Sequence, residues 1–521
     1  MSKGARSRAC VARAARLLSL ALLAPAAHAQ THDDGPLPEV SVDATSTTRM
    51  EALADNGNAR SDDDGYLLLQ QRLDAAATWG ELELLSRIDA DGFMNAPTPA
   101  YANNLSFERL SLRWRTESVP LFDVVAITGG DFSAQLGKGV ALAVRRVPEV
   151  GVDASVRGAR LDVDNDALAL IALAGVFNPA NVDALSRQHI DDPGDVLSGA
   201  QLTLHPHFGL AVGALASVVV PSEKLLPDHA DWTATAGAFI DARVLDVLDV
   251  GLEVDAQQRT VAGVLDQGAA AVLELQADAG PAVLAFDALW LSGMEVRGSR
   301  NSATGARFDY SQPPTLERID QEVPNSRDVL GARARLDVTL PIGATLFGSA
   351  MVRAHDLDTP SPLHHAHAFF GADLTPGSSR VQLAGGAREE LVGAKLVALR
   401  SMQHVDADAV LDVGRGFAVH SATTMQLWRA GERRFVRGSS LLGLSHGGDG
   451  EIAVDLGIDT QDPSPHTDKL FLAAVVSYHV TSSLTVSATA GSQRGGVRCV
   501  GGVCRELPPF AGAKAELSLR L

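Results

Sequence analysis

The sequence predicts an all-β fold: a transmembrane antiparallel β-barrel of about 22 strands, roughly 20 to 24, since such barrels are normally even-numbered. Three observations carry this expectation. The chain ends on an uncapped strand pattern, Ala511–Leu521. Segments with a period of two recur from Tyr66 onward. Short turns alternate with long polar loops along the chain.

In the terminal segment Ala513, Ala515, Leu517, Leu519 and Leu521 fall on one face, and Lys514, Glu516, Ser518 and Arg520 on the other. A period of two marks a strand with one apolar and one polar side. An apolar strand left at a sheet edge invites pairing with other chains. Closure against a first strand removes that edge. Segment 511–521 is also the expected handle for the barrel-assembly machinery.

Before the barrel, residues 1–29 read as a secretory leader. Lys3, Arg6, Arg8, Arg13 and Arg16 form a basic region, Leu17–Ala24 a short apolar one, and Ala27-His28-Ala29 a small-residue cleavage site. Loss of those five cations takes the formal charge from −19 to −24. Such acidity argues against nucleic acid as a partner. Beyond the leader no apolar run is long enough for a spanning helix. Gln30–Gly65, rich in Asp, Thr, Asn and Gly, reads as a flexible acidic segment in which Glu39–Thr45 alone looks like a strand. Residues 66–521 are assigned to the barrel.

The alternation is regular through that region. Leu110, Leu112 and Trp114 oppose Arg109, Ser111 and Arg113; Leu252 and Val254 oppose Glu253 and Asp255. Ala332, Ala334 and Leu336 oppose Arg333, Arg335 and Asp337; Val405, Ala407 and Ala409 oppose His404, Asp406 and Asp408. A soluble sandwich gives the same alternation strand by strand. Loop lengths favour the membrane. Turns such as 206–208, 341–344, 414–417 and 447–450 are short, whereas 92–104, 177–196, 221–231, 293–329, 459–468 and 495–510 are long and polar. One rim of turns and one of loops is the outer-membrane pattern. Turns are poorly marked in 66–91 and 379–404. Aromatic residues make up only 5% of the chain, so Leu, Val and Ala are expected to supply the lipid face.

Of three cysteines, Cys10 leaves with the leader. Cys499 and Cys504 remain as a lone C-x4-C pair, which in an exported chain points to a disulfide. By parity their hairpin lies on the rim of long loops.

Two stretches carry a resemblance. One is Gly129–Leu161, with Gly-Gly-Asp-Phe-Ser-Ala-Gln-Leu-Gly-Lys-Gly-Val-Ala-Leu followed by Arg145-Arg146, Glu149 to Asp153 and Val156 to Leu161. The other joins His420–Arg429 to Gly491–Phe510, whose Gln-Arg-Gly-Gly…Cys-x-Gly-Gly-x-Cys-Arg is the more specific part. Together they resemble an outer-membrane barrel family known only as a domain of unknown function. The resemblance implies a fold and a location in the cell outer membrane, and no activity. The chain departs from it in its few Tyr and Phe residues and in ending on Leu521.

Gly129–Gly139 is glycine-dense, and glycine supplies tight turns and close backbone approach. As a phosphate loop it fails, having no strand–helix context and no Lys-Ser/Thr ending. The expectation is an inward-folded hairpin or constriction. There Asp131, Gln135, Lys138, Arg145, Arg146, Asp153 and Arg157 would form a polar network in the lumen, either bracing the wall or acting as a selectivity element.

His365 and His367 share a strand face, with His364 opposite. No Asp, Glu or Cys completes a donor set nearby, so no metal is assigned. No hydrolase elbow or zinc-protease helix is present, and no residues are assigned to catalysis or to a cofactor. The functional expectation is passage or binding of a small solute, with the acidic surplus favouring cations at the mouth. Outer-membrane lipid is the surrounding partner. The alternatives are a filled barrel serving as a structural or assembly component of the envelope, and a soluble secreted β-protein.

Overall fold

The computed structural model describes residues 40–57, 63–117, 119–226, 228–229, 231–316, 328–462, 469–500 and 503–521, without the side chains of 497–500 and 503–504. The expected leader lies outside these residues. A single antiparallel sheet of 24 strands runs from Val40–Leu53 to Phe510–Arg520, each strand paired with its neighbours in sequence. It closes on itself. Val40–Leu53 pairs on one side with Leu67–Trp79 and on the other with Phe510–Arg520, from Thr45 opposite Arg520 to Leu53 opposite Gly512.

The count is 24 strands, at the upper end of the expected 20 to 24, with turns at 80–81 and 393–396 dividing the two poorly marked stretches. One expectation is corrected here: the sheet begins at Val40, inside the segment expected to be flexible, rather than at Tyr66. The reason is chemical. On the outer face of this first strand Ser46 and Thr48 are polar, and they are satisfied by Gln71 of the next strand: Gln71 Nε2 donates to Ser46 Oγ at 2.9 Å, and Thr48 Oγ1 donates to Gln71 Oε1. The apolar alternation that marks the other strands is therefore interrupted where the barrel closes.

The connections separate by rim. Those at 80–81, 165–167, 208–209, 245–247, 280–281, 341–343, 415–416, 447–449 and 482–483 are tight. The opposite rim carries 95–103, 133–153, 180–195, 221–231, 293–328, 460–469 and 494–509, with short turns among them at 262–263, 393–396 and 431–432. Strand parity puts the hairpin of Cys499 and Cys504 on the long-loop rim, with the two residues opposite each other in register. Of the few aromatics, Trp79, Trp114 and Tyr478 gather at the tight-turn end.

Side-chain exposure gives the sheet its polarity. In Leu248–Val261 the residues Glu253, Asp255, Gln257 and Arg259 are 0 to 5% exposed, while Leu252 and Val254 are 37 and 47% exposed. Arg353, His365, Arg388, Glu390 and His404 are likewise buried, against exposed Leu330, Val352, Phe370, Val405 and Leu442. Water would favour the reverse, since buried charges are costly unless paired and broad apolar surface drives association. A closed barrel with a charged interior and an apolar exterior is instead matched to lipid.

Candidate lumenal site

The interior is shaped by segment 133–153, which turns inward from the end of Val124–Phe132. It forms a small hairpin, Ala134–Leu136 with Leu142–Val144, and a turn of 3-10 helix at Pro148–Val150. The local sequence explains the fold. Gly137 and Gly139 have φ of +52° and +84°, the left-handed region that glycine occupies without penalty. Leu136, Val140, Ala141 and Leu142 are fully buried. Leu136, Ala141 and Leu142 pack on inward-facing Leu197, Leu215 and Val219 of the wall and on Val296 and Tyr310 of the long loop 293–328, while Val140 belongs to a second cluster with Val272, Leu289 and Leu316. The wall is thus apolar on its inner side where the hairpin lies, as it is again at the separate cluster of Met402, Trp428 and Phe435.

Polar contacts fix the hairpin tip. Lys138 N donates to Glu253 Oε2 at 2.7 Å, Gly137 N to Gln201 Oε1 at 2.8 Å, and Ser217 Oγ to the Ala141 carbonyl at 2.9 Å. Lys138 Nζ reaches Glu274 at 2.6 Å and Asp241 at 3.7 Å. Burial lowers the Lys138 pKa, but these carboxylates outweigh it and leave the ammonium above its ordinary value. From the long loop, Ser311 Oγ donates to the Val140 carbonyl and Gln312 N to the Gly139 carbonyl, both at 2.8 Å.

The seven residues expected to form one network fall into separate places. Asp153 is central to a true lumenal cluster. It pairs with Arg87 and Arg109, and Arg146 lies 3.8 Å away. Arg87 bridges on to Asp89, which Arg72 also holds at 3.0 Å. Burial pushes the Asp153 carboxyl up, but Arg109 and Arg87 hold it below the usual carboxylate range. Lys138 sits apart at the hairpin tip. Arg145 Nε donates to Gln312 Oε1 at 2.9 Å, joining hairpin to long loop. Among the described residues the Gln135 side chain bonds within its own turn, donating to the Gly137 carbonyl.

Asp131 and Arg157 are not lumenal, which corrects the expectation for both. Their opposed neighbours Phe132 and Val156 belong to the interior cluster, so Asp131 and Arg157 face outward. They repair the wall. Val124–Phe132 pairs with Asn104–Thr116 only from Ser111 onward, leaving the end of the longer strand without a backbone partner on that side. Leu110 N donates to Asp131 at 2.9 Å, Arg157 Nη2 to the Glu108 carbonyl at 3.2 Å, and Asn178 Nδ2 to the same carbonyl at 3.0 Å. Arg157 and Asn178 also bond Asp131. Side chains here replace the hydrogen bonds of a strand that stops short.

Two features had no signal in sequence, and a third was only half visible in it. Asp195, fully buried, accepts from Ser222 N at 2.8 Å, Ser299 N at 2.7 Å, Ser299 Oγ, and Tyr310 Oη at 2.6 Å. It anchors the long loop, and burial beside it pushes the Tyr310 phenol well above its ordinary pKa. Glu51 holds Arg187 of loop 180–195 through two bonds of 2.8 and 3.0 Å. Third, His365 and His367 do lie on one inner face, but each meets a histidine from another strand. His355 faces His365 and His404 faces His367, with Nε2–Nε2 distances of 2.9 and 3.0 Å. Arg388 Nη2 donates to His365 Nδ1 at 3.1 Å, so His365 Nε2 carries the hydrogen given to His355. Among the described residues no group of three or more His, Cys, Asp or Glu converges as metal donors.

With the hairpin and loops on one side, a cavity of about 1160 Å³ remains on the other. Arg49, Lys514, His367, Asp408, Thr424 and Asp455 are among its lining residues.

In sequence, residues 452–521 match the model of a family of unknown function, DUF6029. That span holds the C-terminal Gln-Arg-Gly-Gly and cysteine segment and does not reach Gly129–Leu161. No curated protein matches the chain. Among solved structures, the siderophore receptor PirA from Pseudomonas aeruginosa is similar at TM-score 0.49 and 8% identity, over 93% of this chain and 81% of that one. The P pilus usher PapC translocation pore is similar at TM-score 0.41 and 9% identity, over 92% and 99%. OccK10 (OpdN) from Pseudomonas aeruginosa is similar at TM-score 0.39 and 12% identity, over 67% and 93%. These likenesses are distant, and the architecture rests on the strand pairing itself.

Proposed function

We propose that the chain resides in a Gram-negative outer membrane, where it passes or binds a small polar solute in a lumen narrowed by hairpin 134–144. The observation that carries the reading is the inversion of the sheet. Charged residues line a closed interior with a cavity of about 1160 Å³, and apolar residues cover the outside. Residues of mixed charge around a space of that size suit a hydrated solute rather than a lipid. Nothing in the site assembles nucleophile, base and oxyanion donors, so a binding or passage role is preferred to an enzymatic one.

The burial of the hairpin favours a second reading, a barrel whose fixed filling serves an envelope assembly. Leu136 and Leu142 are fully enclosed, as in a permanent core. The test common to both is gel mobility of the mature chain from isolated outer membranes, with and without boiling. Heat-shifted mobility with membrane residence is expected. Recovery in the soluble fraction without a shift would sink both readings in favour of a secreted β-protein.

A further inference from the structure

We propose that the solute is a zwitterion, a short peptide of two to four residues held between two charged poles of the cavity. This rests on the reading above and names the solute class. The first pole is at the closure of the barrel. Arg49 and Arg187 converge on one carboxylate, Glu51, and Lys514 stands opposite Glu51 in the neighbouring strand. Three cations thus share two carboxylates, Glu51 and Glu516, the latter opposite Arg49 in the same strand pairing. Lys514 makes no ion pair among the described residues; its ammonium rests 5.3 Å from the Phe510 ring centroid and lines the cavity.

The second pole is acidic. Asp408 and Asp455 line the same cavity, and among the described residues neither has an Arg or Lys within ion-pair distance. Asp408 has only His420, at 3.7 Å, and Asp455 accepts a neutral bond from Gln493 at 2.8 Å. The lumen therefore holds an excess of cations at one place and of anions at another. Most other charges of the cavity wall cancel locally, as Arg333 does with Asp287 and Arg335 with Asp337.

The spacing selects size. Asp455 lies on Gly450–Asp459 and Lys514 on Phe510–Arg520, three strands further round. Three steps of about 4.8 Å put their backbones roughly 14 Å apart. Side chains reaching inward shorten the gap to the length of a few extended residues at about 3.4 Å each. A free carboxylate would meet Lys514 and Arg49, and a free ammonium would meet Asp455; Asp408 stands three strands away from Asp455, in register with it through Ala422 and Leu441, and adds to the acidic side of the lumen without sharing that contact. A single amino acid is too short to touch both. Charge-assisted contacts of this kind are the stronger hydrogen bonds, and in a confined lumen they discriminate ends by charge.

The experiment is equilibrium dialysis of the refolded mature barrel in detergent against four probes: trialanine, N-acetyl-trialanine, trialanine amide and N-acetyl-trialanine amide. The expected result is saturable binding of trialanine. Blocking either end should weaken it by about ten-fold, the loss of one charged contact. Lys514→Gln should weaken trialanine without further weakening trialanine amide, and Asp455→Asn should do the same for the acetylated peptide. Equal binding of all four probes, or no saturable binding, would overturn the inference. So would a Lys514→Gln effect that ignores the carboxyl end. Heat-shifted mobility of each variant confirms the fold. If that shift and bilayer conductance persist while binding is blind to charge, the zwitterion inference alone falls and the pore reading stands.

Discussion

Lys138 Nζ lies 2.6 Å from Glu274 Oε2, joining a hairpin that leaves the wall at Phe132 to the inner face of strand Val264–Ala279. The pair is a marker of the docked hairpin rather than its main fastening. Glu274 is 41% exposed, and a pair open to water contributes only about 0.5 kcal/mol. Backbone bonds and apolar packing hold the tip. Lys138→Ala should therefore change little, whereas Gly137→Val should displace the turn. A Cβ at Gly137 would overlap the Glu253 carboxylate and come 2.7 Å from Leu215 Cδ2, at a φ of +52°. Strain and lost contacts together should cost about 3 kcal/mol of docking. Protease accessibility of 134–144 in the two variants measures the difference.

Asp195 ties the long loop to the rim. Asp195→Ala leaves Tyr310 Oη and the Ser222 and Ser299 amides without their acceptor. Each buried unmet group costs about 1 kcal/mol or more, so loop 293–316 should open while the barrel persists. Faster hydrogen exchange confined to that loop is the expected result.

Asp183 of loop 180–195 pairs with Arg505 of the cysteine hairpin at 2.8 Å. Burial raises the Asp183 pKa, but Arg505 and the Ser186 amide outweigh it, leaving the carboxyl below its ordinary value. A depressed folded pKa gives stability that is complete above the ordinary carboxylate value near 3.9 and is lost as pH falls through the lower folded value. Contact between loop and hairpin should thus hold at pH 5 and loosen only on strong acidification. Arg505→Gln should loosen it at both. Hydrogen exchange of 180–190 reads this directly.

Cys499 and Cys504 face each other in register on the long-loop rim, and the proposed disulfide would staple one external hairpin. Cys499→Ser should disturb that hairpin alone, with insertion and heat-shifted mobility unchanged. Failure to insert would mean that the hairpin has a role in assembly.

Most of the barrel was legible in the sequence because each strand writes its own pattern. Leu252 and Val254 against Glu253 and Asp255 need no distant partner to be read. The rims were legible from loop length, and the inward hairpin from the glycines of 129–139. What escaped notice depends on contacts between segments far apart. The apolar face of Val40–Leu53 is broken by Ser46 and Thr48, which meet Gln71 of the next strand. Asp131 and Arg157 looked lumenal because a charged strand residue usually is. Only the early end of Val124–Phe132 turns them to the outside as substitutes for backbone pairing. His355 and His404 come from separate strands to complete the pairs that His365 and His367 begin.

The most direct test of the whole account is planar-bilayer conductance of the refolded mature chain beside a variant in which a short Gly-Ser linker replaces residues 135–143. A closed barrel of 24 strands narrowed by that hairpin should conduct in small steps, and the variant in steps several-fold larger. Absence of conductance from both proteins, each shown to be folded by its heat-shifted mobility, would contradict the account.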